Sequence, residues 1–239
     1  MPKPITIVRV IARLNVGGPA IQAILLTEAF HRRGYRTLLL AGEVSAGEES
    51  MEYLARERQV HAIPIAKLGR RISFLRDLQS LWRLIGIMRR ERPTVVHTHT
   101  AKAGVLGRLA AMLTGVPVRV HTFHGHVFRG YFSSAVTRFF LITERFFARH
   151  TDCIVAISES QRRELIEVYK VAASEKVATI PLGFDLDQFL SIQERESELR
   201  QSSSCPETPP LVGWVGRLTS IKAPELFISS AAQAASAAQ

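Results

Sequence analysis

The chain has 239 residues, 46% of them hydrophobic and 22% charged, an ordinary globular composition that excludes a disordered chain. With 15 Gly and 11 Pro it is neither collagen-like nor low-complexity, and Lys and Arg interrupt every apolar run before the roughly 18 residues a membrane span requires. The formal charge of +10 is uneven: residues 1–190 hold 27 basic and 16 acidic side chains, the remainder 4 and 5.

The opening Met1–Leu14 carries Arg9 and Arg13 and no small-residue cleavage site, so it reads as a first strand, Ile5–Ala12, and not as a signal peptide. A loop with Gly17 and Gly18 follows. Ile21, Ile24, Leu25 and Ala29 then recur at helical spacing over Ala20–Arg33, and Gly34 stops that helix. Thr37–Ala41 is a second strand, Gly47–Glu57 a helix and Val60–Ile65 a third strand. Leu75–Arg90 predicts a helix with Leu78, Leu81, Trp82 and Ile85 on one face. Strand Thr94–His97, helix Ala101–Leu113 and strand Val118–Thr122 come next. Helix Ser133–Arg149, strand Cys153–Ile157, helix Glu159–Tyr169 capped by Ser158, and strand Val177–Ile180 complete the series. Strands alternating with helices for 180 residues imply an α/β fold, a Rossmann-like doubly wound parallel sheet.

Residues 191–210 break the alternation with polar, Ser- and Pro-rich sequence and read as a linker. Leu211–Val215 then predicts a new strand and Lys222–Ala238 a new helix. One strand and one helix cannot bury a core, so residues 211–239 read as the start of an incomplete second domain after a first domain over 1–190. The two cysteines, Cys153 and Cys205, have no metal-type spacing. Their scarcity fits a reducing cytoplasm, with one disulfide left open.

Ligands of open parallel sheets bind outside the carboxyl ends of the strands. Asn15, Gly17 and Gly18 fall there after the first strand, His99, Thr100 and Lys102 after the fourth, and His124, Gly125 and His126 after the fifth. Glycines admit a ligand to the backbone, and the following helix start favours anions. The loop Gly17-Gly18-Pro19-Ala20 fails the dinucleotide fingerprint, no phosphate-binding P-loop exists, and Ser158 lacks a nucleophile elbow. On its own, the glycine pair is a tight turn. Five of the eight histidines lie between His97 and His126. No zinc motif organises them, and His97 and His121 read as hydrogen-bonded core residues. For His99 and His124, ligand-facing and structural readings are balanced. Phe128–Arg149 interleaves aromatic residues with arginines. The simpler reading is a core helix with a basic solvent face, the alternative a helix lying on a membrane. Arg217 and Lys222 follow the last strand as two cations suited to a diphosphate.

The stretches RLNVGGPAIQ, VVHTHTAKAGVLGRLAAMLTGVPVRVHTFHGHVF, AISESQRREL, VATIPLGFDLDQF and VGWVGRLTSIKAPELF, in this order, resemble the retaining glycosyltransferases of family 4, which have the GT-B fold. The resemblance implies two Rossmann-like domains with acceptor bound by the first and most of a nucleoside diphosphate sugar by the second. It implies that His124 contacts the donor sugar at the reaction centre. Gly17, Gly18, Arg217 and Lys222 would hold the donor, and Asn15, His99 and Lys102 would lie on the acceptor side. It implies no metal, no cofactor beyond the nucleotide-sugar co-substrate, and no nucleic acid. The variant resembles enzymes of surface polysaccharide synthesis. A glycan or lipid-linked acceptor and a cytoplasmic protein touching an anionic membrane surface fit the basic first domain. Two departures stand out: Ala223 replaces a common glycine, and no E-x7-E follows Lys222, Glu225 being the last acid. The expectation is therefore a chain truncated early in its donor domain and inactive alone. A basic binding module for phosphorylated ligands or nucleic acid is the competing reading.

Overall fold

The computed structural model describes residues 4–45, 47–69, 72–125, 128, 133–190, 212–216, 218 and 222–237. It separates into two compact units, Met1–Phe184 and Asp185–Gln239.

The first unit is a seven-stranded, wholly parallel sheet. Its strands are β1 (Thr6–Ile11), β2 (Arg36–Gly42), β3 (Ala62–Ile65), β4 (Val95–His99), β5 (Val118–Phe123), β6 (Cys153–Ala156) and β7 (Val177–Thr179), in the order β3-β2-β1-β4-β5-β6-β7. The chain builds leftward from β1 to β3, then returns to place β4 on the other side of β1. The carboxyl ends of β1 and β4 therefore flank the switch point where such sheets open a crevice. The connecting helices are α1 (Gly18–Arg32), α2 (Glu52–Glu57), α3 (Phe74–Glu91), α4 (Ala101–Leu113), α5 (Ser134–Arg149) and α6 (Glu159–Arg163).

Side chains alternate across each strand. Val8 and Val10 of β1 join Val96 of β4 and the inner faces of α3 and α4 in one apolar core, while Ile11 packs with α1 and α2 in another. A third core, around Phe123, Ile154 and Leu165, lies toward β6 and β7. Helix α4 runs unusually close to the sheet. A Cβ on Gly107 would stand 2.6 Å from Thr98 Cγ2, and one on Gly104 would stand 2.6 Å from the His121 ring. Glycine at both positions is what allows this approach.

The structure refines one expectation and corrects two. The α3 face that carries Leu78, Leu81, Trp82 and Ile85 is only partly in the core: Ile85, Leu84, Ile87 and Met88 are buried, whereas Trp82 is 61% exposed and Phe74 81%. The core takes the stripe centred on Leu84, and a second apolar stripe is left outside. Helix α6 does not run to Tyr169 as a regular helix but passes at Glu164 into a π turn over Glu164–Val168. Ser158 caps it, accepting from the Gln161 amide at 3.1 Å. In the second unit, residues 212–215 form no strand, since a lone extended segment has no neighbour with which to exchange hydrogen bonds. That unit holds α7 (Asp187–Leu190) and α8 (Pro224–Ala237).

Candidate functional site

The glycine loop leaves β1 and is tied down on one side. Asn15 makes an isolated antiparallel bridge with Ser50, and the Met51 and Val16 amides donate to Leu14 and Glu49 carbonyls at 2.7 and 3.1 Å. Gly17 then caps α1 without a side-chain hydrogen bond, and no acidic residue occupies the first turn. A Cβ on Gly18 would meet only Leu182, at 4.0 Å. Internal packing therefore does not demand glycine at position 18, and the helix start is open to an anion.

Beside it, β4 ends in His99 and turns into α4 through Thr100. Thr100 adopts φ 68° and ψ 154°, a conformation that L residues, and β-branched ones above all, avoid. Its Oγ1 accepts from the Ala12 amide at 3.3 Å, joining the ends of β1 and β4 across the switch point.

The histidines divide between the two faces of the sheet. In register, Arg9 lies beside His97 and Ile11 beside His99, and His97 and His99 neighbour Val120 and Thr122 of β5. On this face, the α1 face, His97 Nε2 lies 2.8 Å from Thr122 Oγ1. His99 Nδ1 lies 2.9 Å from His124 Nε2. The His97 and His99 rings stack obliquely, their centroids 4.2 Å apart. His99 is 0% exposed and His124 half-buried. Burial pushes His124 down to about 4. Burial, and then the neighbouring His97, His124, Arg9 and His121, hold His99 well below the ordinary histidine range. Both rings are therefore neutral at physiological pH. Beneath them, Arg9 is 1% exposed. It reaches Thr27 Oγ1 at 3.5 Å and lies over the Phe30 ring. Burial draws its guanidinium down to about 10, so it stays charged.

The opposite face carries a different set. Thr98 Oγ1 lies 2.8 Å from His121 Nδ1. The buried Arg108 of α4 donates to the Gly104 carbonyl and to Glu144 of α5 at 2.8 and 2.7 Å. His97 and His121 are the hydrogen-bonded strand residues that the sequence indicated. Arg9, the Arg108–Glu144 pair and the Thr100 backbone were missed. An arginine inside the apolar run of β1 and the small pair Gly104 and Gly107 on α4 were the available signals.

The remaining expected residues are placed as follows. Lys102, in the first turn of α4, pairs with Asp77 of α3 at 2.5 Å. Lys222 belongs to the second unit and is exposed. Arg217, His126 and Cys205 lie outside the described residues. A cavity of about 350 Å³, bounded by Leu14, Gly42, Glu43, Ser50 and Pro64, adjoins the glycine loop. Another, of about 380 Å³, lies among Thr27, His31, Arg58 and His61, near the amino ends of β2 and β3. Among the described residues, no three His, Cys, Asp or Glu side chains are grouped to hold a metal, and no helix is long and apolar enough to cross a membrane.

These features define a doubly wound α/β domain of the GT-B type, with a neutral imidazole wall and an open helix start at its switch point. Residues 16–188 match the model of Glycosyltransferase Family 4, and the chain belongs to that family. It is 31% identical over 172 residues to a UDP-Gal:alpha-D-GlcNAc-diphosphoundecaprenol alpha-1,3-galactosyltransferase of Escherichia coli, covering 72% of this chain and 44% of the relative. To the capsular polysaccharide biosynthesis glycosyltransferase CapM of Staphylococcus aureus it is 28% identical, covering 78% and 48%. The chain thus spans about half the length of the curated relatives it matches. Among solved structures, sucrose-phosphate synthase from Thermosynechococcus elongatus superposes with a TM-score of 0.74 at 18% identity, over 96% of this chain and 60% of that one. A glycosyltransferase from Rickettsia africae superposes with a TM-score of 0.62 at 17% identity, over 87% and 52%. Likeness at that level speaks for the fold alone.

Proposed function

We propose that this chain is the acceptor-side part of a retaining glycosyltransferase. The enzyme transfers a hexosyl group from a nucleoside diphosphate sugar to a glycan or lipid-linked acceptor in cell-surface polysaccharide synthesis. The observation that carries the reading is the family match over residues 16–188, joined to a switch-point site whose polar groups suit a sugar and a diphosphate. In this reading the Gly17 and Gly18 amides and the start of α1 face the donor phosphates, and His124 orients the sugar by hydrogen bonding. Arg217 and Lys222 neutralise the leaving diphosphate as fixed charges. Asn15 and Lys102 form the acceptor side, with the enclosed His99 behind them. No side chain is cast as a nucleophile; the acceptor hydroxyl passes its proton to the donor phosphate as the glycosidic bond to the diphosphate breaks.

The protein works at the inner face of an anionic membrane. The outer stripe of α3, with Phe74, Leu75, Leu78 and Trp82, and that of α5, with Phe139, Ile142 and Phe146, are both exposed. Arginines flank both stripes. An apolar stripe bordered by cations suits a lipid interface. The outer face of α5 is therefore apolar as well as basic, which the reading as a plain core helix did not anticipate.

The 239 residues alone hold no acidic pair after Lys222 and are expected to show no sugar transfer. They are expected to bind a short-chain diphosphoprenyl sugar saturably, with Asn15→Ala and Lys102→Ala each weakening that binding. Absence of saturable binding by calorimetry would overturn the acceptor-side reading.

A further inference from the structure

The His99–His124 contact poses a tautomer problem with two solutions. Each neutral imidazole carries one N–H. Across the 2.9 Å contact between His99 Nδ1 and His124 Nε2, one nitrogen must donate and the other accept. If His124 Nε2 donates, His99 carries its only proton on Nε2. If His99 Nδ1 donates, His124 carries its only proton on Nδ1. The pair is therefore Nε2–H in both rings or Nδ1–H in both rings, with no mixed solution.

The outer nitrogens decide between them. His99 Nε2 and His124 Nδ1 are both buried and without a hydrogen-bond partner among the described residues. His99 is wholly enclosed, so nothing from outside reaches its Nε2 without displacing the structure, whereas the half-buried His124 stands just past β5 at the crevice edge. Either solution leaves one buried N–H unpaired, on His99 Nε2 or on His124 Nδ1; it is costlier on the wholly enclosed His99 than on the half-buried His124. His99 Nε2 is therefore bare, and the His99 proton sits on Nδ1.

We propose that His99 is a positioning residue: by donating from Nδ1 it locks His124 as the Nδ1–H tautomer, so that His124 offers the crevice a hydrogen-bond donor for a sugar oxygen. The proposal rests on the reading of His124 as a sugar-facing residue and refines the assignment of His99, which acts through His124 and touches no acceptor. The surroundings supply rigidity. The His97 ring stacks on His99 and is itself held by Thr122, and Thr100 pins the end of β4 to Ala12.

The test is long-range proton–nitrogen correlation NMR of the histidine rings in the 15N-labelled 239-residue chain at neutral pH, with His99→Leu and His99→Gln alongside. The expected wild-type spectrum shows both rings with a protonated Nδ1 and a bare Nε2. His99→Leu removes the donor, and the His124 signal moves to the averaged position of a free imidazole. His99→Gln restores a donor amide, and the Nδ1–H signature of His124 returns. An unchanged His121 signal, from the opposite face of the sheet, reports an intact sheet in each variant. Rings protonated at Nε2 in the wild type, or a His124 tautomer indifferent to His99→Leu in a folded chain, would overturn the proposal. If the leucine variant does not fold, the wild-type and glutamine spectra decide alone. The same sample titrated with UDP-galactose, UDP-glucose and GDP-mannose tests the reading beneath. A shifted His124 signal supports the sugar-facing role. A stationary one overturns that role while leaving the tautomer lock standing.

Discussion

The two faces of the sheet beneath β4 and β5 bury similar residue types and use them differently. On the α4 face, His121 bonds Thr98, and Arg108 meets both Glu144 and the Gly104 carbonyl, with Arg108 Nη1 left without a partner among the described residues. On the α1 face, His99 Nε2, His124 Nδ1 and Arg9 Nε all lack partners among the described residues. Arg9 has no carboxylate within ion-pair distance among the described residues. A nearly satisfied buried network fixes helices to a sheet. In the proposed reading, the network left open at the strand end, next to strained Thr100, is where a ligand binds. We propose that the α4 face is scaffold and the α1 face is site.

The largest expected effect falls on the scaffold. Glu144→Ala strands the buried Arg108 charge and should cost about 3–5 kcal/mol in urea unfolding, while the double replacement Arg108→Leu with Glu144→Leu recovers much of it. A loss below about 1 kcal/mol in Glu144→Ala would break the comparison from the scaffold side. Next comes Gly107→Ala, whose new methyl group must move Thr98. The expected cost is about 1–3 kcal/mol.

Acid acts on both faces. His97 is drawn down to about 3 and His124 to about 4 by burial, and His99 and His121 lie well below their ordinary value. Between the folded values and the unfolded value near 6.5, the unfolded chain binds more protons. Stability is therefore full above about pH 6.5 and falls on acidification toward pH 4. Each histidine contributes a slope approaching about 1.4 kcal/mol per pH unit. A flat unfolding free energy from pH 7 to 5 would show that these rings are not enclosed. The smallest effect is expected on the α3 stripe. Trp82→Ser should change stability by under about 0.5 kcal/mol, the usual size for a surface position, yet reduce cosedimentation with anionic vesicles at low salt.

Much of this was legible beforehand because parallel strands buried on both faces write long apolar runs, and the sheet order follows from their alternation with helices. Placing His99 and His124 at one sheet edge required nothing more. The sequence was silent where the third dimension decides. Amphipathic periodicity in α3 showed an apolar face but not which of two adjacent stripes the core would take. Residues 212–215 had strand composition but no partner. Arg9 read as an interruption in β1, since only packing shows a guanidinium enclosed by Thr27 and Phe30. The left-handed Thr100 leaves no compositional trace at all.

The division into scaffold and site is tested most directly by amide hydrogen exchange with and without UDP-galactose at millimolar concentration. The account predicts added protection at residues 15–20, 99–101 and 124–125, around the switch point, with residues 104–108 and 144–148 of the α4 face unchanged. Protection centred instead on the cavity formed by Thr27, His31, Arg58 and His61, at the other edge of the sheet, would contradict it.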